Sequence, residues 1–180
     1  MIELTVPDVE LWDEQQEMFV DRKGGLLTLE HSLVSLSKWE SQYQKPFLSK
    51  EEKTVGETID YIRCMTLTEG IPPSLYQNLT EDNLRSVEAY IESPMTATTF
   101  RENPNRSGMG EQVTAELIYY WMITLGVPFE CQYWHLNRLL TLIRVCTIKN
   151  QPKKHTSTRD IMRRNASMNA ARRQKYHTRG

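Results

Sequence analysis

The feature that most constrains this chain is a pair of apolar helical stripes parted by one short breaker. From Glu111 to Leu125, Val113, Leu117, Tyr120/Trp121 and Ile123/Leu125 recur at helical spacing. Gly126-Val127-Pro128 interrupts them, and a second stripe of Leu136, Leu139/Leu140, Ile143 and Cys146/Thr147 runs from about Glu130 to Ile148. Two amphipathic helices on so short a connection bury their apolar faces by folding back on each other, which predicts an antiparallel αα-hairpin. Leu117, Trp121, Leu136, Leu139 and Ile143 are the expected buried cluster or groove, and the hairpin is the expected core of a mainly α fold.

Upstream the pattern is mixed. Ile2-Glu-Leu-Thr-Val6 alternates apolar and polar residues and stops at Pro7, a short strand that Leu26-Leu-Thr-Leu29 can pair with. Between them, Asp8 is placed to cap a helix reaching about Phe19, with Leu11, Trp12 and Met18/Phe19 near one face. Ser32 opens a helical pattern through Leu33, Leu36, Trp39/Glu40 and Tyr43, ended by Pro46, although alternation from Leu27 to Leu33 also suits a longer strand. Both Ser49-Lys-Glu-Glu52 and Thr54-Val-Gly-Glu57 fit a capping box before the stripe Ile59, Ile62 and Met65. Thr80 caps a helix with Leu84, Val87 and Ile91 inward, and residues 93–110 read as a long loop.

Charge divides the chain. Residues 1–110 carry 19 acidic and 10 basic side chains, residues 111–150 carry 3 of each, and residues 151–180 carry 1 and 9. The near-neutral total of −1 therefore conceals an acidic region and a basic arm. The expected organisation is one helical body over 1–150 and an appended arm over 151–180. Ser157 or Thr158 would start a last helix from about Arg159 to Tyr176, too poor in apolar residues to be stable alone in water. No apolar run approaches the ~20 residues of a membrane span, and the first residues lack the basic and apolar regions of a secretion signal. Three scattered cysteines, Cys64, Cys131 and Cys146, read as free thiols of a reducing cytoplasm.

Catalytic chemistry finds little to stand on. His31, His135, His155 and His177 have no ligand spacing, and Cys131 with His135 is one i, i+4 pair without a second. Glu30-His31-Ser32 is suggestive in print, but adjacent residues point to different faces, which argues against a relay. Asp13, Glu14 and Glu17 sit on a solvated face. Ser107-Gly-Met-Gly-Glu111 precedes a helix without the Lys-Ser/Thr of a phosphate loop, and Asn78-Leu-Thr80 is a glycosylation sequon without a secretion signal. The expectation is a protein without enzymatic activity, cofactor or metal. Among the bases of the arm, Arg159, Arg163, Arg164, Arg172, Arg173 and Lys175 can meet an acidic protein or phosphates. Tyr176 alone offers a ring for stacking on a base, so a protein contact is favoured over nucleic acid.

Several strings carry a resemblance. They are Glu30-His-Ser-Leu-Val-Ser-Leu-Ser-Lys-Trp-Glu40, Lys45-Pro-Phe-Leu48, Tyr61-Ile-Arg-Cys-Met65, Pro94-Met-Thr-Ala-Thr98, Trp134-His-Leu-Asn-Arg-Leu-Leu-Thr-Leu-Ile-Arg-Val-Cys146 and the ending Asn169–Gly180. Through them most of the chain resembles the tail assembly chaperones of long-tailed bacteriophages. The resemblance implies an α-rich oligomer in the host cytoplasm that keeps the tape measure protein soluble until tail tube protein replaces it. It supplies no catalytic residues. The alternatives are a structural component of the virion whose arm docks on a neighbouring subunit, and a nucleic-acid-binding module built on the arm.

Overall fold

A computed structural model describes residues 1–13, 17–100, 112–151 and 157–177, the side chains of Leu11, Asp13 and Asp160 excepted. The end of the expected loop, residues 101–110, and the expected helix start at Glu111 lie outside them, together with the Ser107–Glu111 stretch that lacks a phosphate-loop motif, as do Glu14, Lys153, Lys154, His155 and Arg179. The chain is mainly α-helical and divides into two units, 1–148 and 149–180.

The first unit begins with four short strands: β1 (Ile2–Val6), β2 (Val9–Asp13), β3 (Met18–Arg22) and β4 (Gly25–Leu29). β1 and β4 pair antiparallel with Leu4 opposite Leu27 and Ile2 opposite Leu29, so period-two alternation turns Leu4, Val6, Leu27 and Leu29 into the core. β2 and β3 form a second antiparallel pair between them, where the sequence predicts a helix from Asp8 to Phe19. The spacing of Trp12 and Phe19 suits one helical face, but here the two residues stand opposite each other across the pair, ring centroids 5.0 Å apart. Asp8 caps no helix. Its carboxylate accepts the Gly24 N–H at 2.6 Å, closing the base of the inserted hairpin. Gly24 is obligatory there, because a Cβ would lie 2.0 Å from the Val6 carbonyl oxygen. Asn78 ties the same base, its buried amide donating to the carbonyls of Arg22 and Pro7. A buried amide cannot serve as the sugar acceptor its sequon suggests.

Among the described residues six α-helices follow: α1 (Leu33–Tyr43), α2 (Val55–Met65), α3 (Glu81–Glu92), α4 (Ala115–Leu125), α5 (Leu136–Asn150) and α6 (Thr158–Tyr176). Ser32, Thr54 and Thr80 each cap through a hydroxyl on the third helical N–H, and Ser35, Glu57 and Asn83 complete the reciprocal boxes. The alternative extended strand through Leu33 is thereby excluded. Short 3-10 helices at Pro73–Asn78 and Phe129–Tyr133 precede α3 and α5.

The hairpin of α4 and α5 exists, but it is not the sole core. One buried cluster joins Leu4, Leu27 and Leu29 to Trp39, Tyr61, Ile62, Met65, Leu75 and Val87. A second joins Leu33 and Leu36 to Ala115, Ile118, Met122, Leu136, Leu139 and Ile143. Helix α1 belongs to both, giving Trp39 to the first and Leu33 and Leu36 to the second. The second stripe of the hairpin lies where the spacing places it, but the first is displaced. Ala115, Ile118 and Met122 are the buried face of α4, while Leu117 and Trp121 are half-buried. The helix also starts at Ala115, with Thr114 as its cap, and α5 starts at Leu136 rather than near Glu130. Cys131 therefore lies in a 3-10 turn ahead of His135, and the two do not share a helix face.

Candidate functional site

The displacement of the α4 stripe has a chemical result. α4 reads Ala-Glu-Leu-Ile-Tyr-Tyr-Trp-Met-Ile-Thr-Leu, with Glu116 and Thr124 as its only strongly polar side chains. A helix apolar around its whole circumference is ordinarily enclosed on all sides. Here the described residues enclose only one face. Tyr120 is 60% exposed and Ile123 64%. The following 3-10 turn adds Phe129 and Tyr133, both more than half exposed. Tyr119 links helix and turn: its hydroxyl donates to Gln132 at 2.9 Å and its ring lies 6.4 Å from that of Phe129. Burial raises the Tyr119 pKa, with a smaller push from Tyr133. Large apolar side chains exposed together on one helix and the turn that follows it are candidates for protein contact.

A second surface lies between α2 and α3. Leu84 and Ile91, expected in the core, are only half-buried and form the floor of a groove of about 430 Å³ with Phe47, Tyr61, Ile62 and Val87. Glu88 and Glu92 stand exposed along its α3 edge. On the opposite wall the Lys53 amine lies 4.6 Å from the centre of the Phe47 ring. Burial, and then the like charge of Lys45, lower the Lys53 pKa.

The most polar buried cluster does something else. Glu30 accepts the Tyr90 hydroxyl at 2.7 Å, and Tyr61 hydroxyl and His31 Nδ1 lie 2.6 Å apart. The His31 and His135 rings meet edge-on with centroids 5.1 Å apart. His135 Nδ1 accepts the Asn137 N–H at 3.3 Å, so Nε2 carries the proton and donates to the Tyr90 carbonyl at 3.0 Å. His135 is thus the N-cap of α5 in its neutral form, a role usually taken by Ser, Thr, Asp or Asn. Burial, with a smaller push from His135, holds His31 at about 3, and burial also lowers His135. The Leu136 N–H donates to the His31 carbonyl at 2.7 Å, and the Glu30 N–H to the Met65 carbonyl at 2.9 Å. The cluster stitches strand end, α2 and α5 together at the seam of the two cores. Glu40, on α1, is a comparable stitch. One of its oxygens accepts from Phe47 N–H at 2.8 Å and the other from Ala115 N–H at 2.7 Å, at the positive end of α4. Among the described residues, no group of three or more His, Cys, Asp or Glu side chains is arranged to hold a metal ion.

The residues expected to carry function fall into separate places. Leu136, Leu139 and Ile143 are buried in the second core and unavailable to a partner. Trp121 packs half-buried against that core. Arg159, Arg163, Arg164, Arg172, Arg173 and Lys175 all lie on α6, in the second unit, and all are exposed. Sequence spacing missed Tyr120, Ile123, Phe129 and Tyr133 as surface and Glu88 with Glu92 as a groove edge. The available signal was the near-absence of polar residues around α4. No helix among the described residues is long and apolar enough to cross a membrane. No protein-family model, curated protein or solved structure matches the chain.

Proposed function

We propose that this is a non-enzymatic protein of phage tail assembly, an oligomerising chaperone that holds the tape measure protein soluble until tail tube protein replaces it. The observation that supports it best is the open face of α4, with Tyr120 and Ile123 continued by Phe129 and Tyr133. A long helical client presents apolar stripes at i, i+3, i+4 and i+7, and an exposed aromatic and aliphatic helix face is complementary to such a stripe. The resemblance of the chain to tail assembly chaperones names the client. Co-expression with the tape measure protein of the parent phage tests the reading. The expected outcome is a soluble complex recovered through a tag on either chain, with Ile123→Glu returning the client to the insoluble fraction. A client equally soluble without this protein, or recovered without it, would refute the reading.

A second reading is a structural component of the virion. It is favoured by α6, whose described side chains are all exposed along a 19-residue helix that a neighbouring subunit would cover. Mass spectrometry of purified particles separates the two: the chaperone is absent from them and the structural component is present in repeated stoichiometry.

A further inference from the structure

We propose that the groove between α2 and α3 receives helix α6 of a second copy of this chain, so that the protein self-associates head to tail. The proposal rests on the reading of the arm as a protein contact and adds its acceptor. Three properties of the groove and the helix correspond.

The first is apolar spacing. Leu84 and Ile91 on the groove floor are seven residues apart, about 10 Å along a helix. Ile161 and Met168 on α6 are exposed and have the same separation. At 100° per residue Ile161 and Met168 lie within about 20° of each other around α6, one above the other on a single line. Two apolar side chains at this spacing are the anchors by which an amphipathic helix seats in a groove.

The second is charge. Glu88 falls between Leu84 and Ile91 along α3, and Arg164 falls between Ile161 and Met168 along α6. With the two helices parallel and the apolar pairs in register, Arg164 comes to the same side of the contact as Glu88. Arg172 lies on the same side of α6, within an arc of about 80° that also holds Ile161, Arg164 and Met168. Glu92 extends the acidic edge by one turn. Lys53 on the opposite wall repels arginine, which leaves the α3 edge as the side that Arg164 faces.

The third is the unmet requirement of each surface. α6 carries six basic side chains and one acidic one, and an isolated helix of this composition is marginal in water. The groove is part of an acidic body, and its floor leaves Leu84 and Ile91 half-open. A heterologous contact of this kind, groove to arm, propagates from copy to copy and closes into a ring or extends into a filament.

The test uses the purified full-length chain alone, so it is independent of any client. Sedimentation velocity across a concentration series compares the native chain with Glu88→Lys/Glu92→Lys and with Arg164→Glu/Arg172→Glu. All four positions are exposed, so the substitutions leave the core untouched. The expected result is concentration-dependent association of the native chain, roughly tenfold weaker in either variant, and recovered when the two variants are mixed. Recovery on mixing also shows that both variants are folded. A native chain that stays monomeric at ~100 μM, where contacts of micromolar strength are populated, overturns the proposal, as does association indifferent to the substitutions or unrecovered on mixing. A monomer in which Glu88→Lys/Glu92→Lys exposes the arm to protease means that the groove holds the chain's own arm, and this too overturns it. If Glu88→Lys/Glu92→Lys abolishes capture of the tape measure protein and leaves self-association intact, the groove belongs to the client; the self-association proposal then fails while the chaperone reading stands.

Discussion

Single residues at the seam set how this fold responds to acid. His31 is neutral in the folded chain down to about pH 3, whereas an imidazole in the unfolded chain takes up its proton near 6.5. The unfolded state thus binds the extra proton first. Stability is fully present above pH 6.5 and is lost progressively as pH falls from there toward 3. His135 acts in the same direction, since its protonation destroys the acceptor that caps α5. Glu57, whose pKa is lowered by the Lys45 side chain, loses its contribution only at lower pH, below 4.5. Urea denaturation at pH 7 and pH 5 therefore isolates the histidines. The expected loss between them is about 2 kcal/mol for His31 alone. His31→Gln should be less stable at pH 7 and show a visibly shallower decline to pH 5; an unchanged slope would contradict the assignment. Glu40 makes a complementary prediction. Gln at this position keeps its size but can accept through one atom only, leaving Phe47 N–H or Ala115 N–H without a partner. The expected cost is about 1–3 kcal/mol of unfolding free energy, read from the same denaturation curves.

At the scale of elements, α5 supplies the firmest stability prediction. Leu139 is fully buried among Leu33, Leu36 and Ile118, so Leu139→Ala should cost about 2–5 kcal/mol. Tyr120→Ser, on the exposed face, should leave the denaturation midpoint nearly unchanged and lower client capture. Elements whose ends are marked by side chains were legible in the sequence. Ser32, Thr54 and Thr80 announce α1, α2 and α3 through local hydrogen bonds that do not depend on the rest of the fold. β1 and β4 were legible because alternation names their buried faces. The hairpin of β2 and β3 was not. A separation of seven residues between Trp12 and Phe19 satisfies a helix face as well as a cross-strand pair, and what decides is the Asp8 contact to Gly24, a tertiary event. α4 was legible as a helix but not in its orientation. A helix with apolar residues on every side has no periodicity to choose a face, so Leu117 and Trp121 looked as good as Ile118 and Met122. The groove was hidden for a related reason: Leu84 and Ile91 have core spacing, and only the arrangement of α2 beside α3 leaves them half-open.

The whole molecule is organised by charge. In the self-association proposed above, the acidic region of one copy and the basic arm of another attract over a range that salt shortens to about 8 Å at physiological strength. Phosphate would attract the arm equally, so salt dependence alone does not distinguish protein from nucleic acid. Deletion of residues 152–180 does. The expected outcome is loss of self-association or of client solubility, with no tight DNA binding to lose. Intact assembly together with a lost DNA mobility shift at ~150 mM salt, where counterion effects are already weakened, would transfer the arm to nucleic acid.

Helix α1 has a further consequence for how the first unit is put together. It gives Trp39 to one core and Leu33 with Leu36 to the other, so neither half of the chain owns a complete interior. A break in the backbone between residues 100 and 112 would leave an amino-terminal piece with Leu33 and Leu36 uncovered and a carboxyl-terminal piece whose α4 and α5 lack their third wall. Neither piece is a domain. Produced separately, the two should be insoluble; produced together, they should reassemble around α1, which makes this protein a natural candidate for splitting into two complementing fragments.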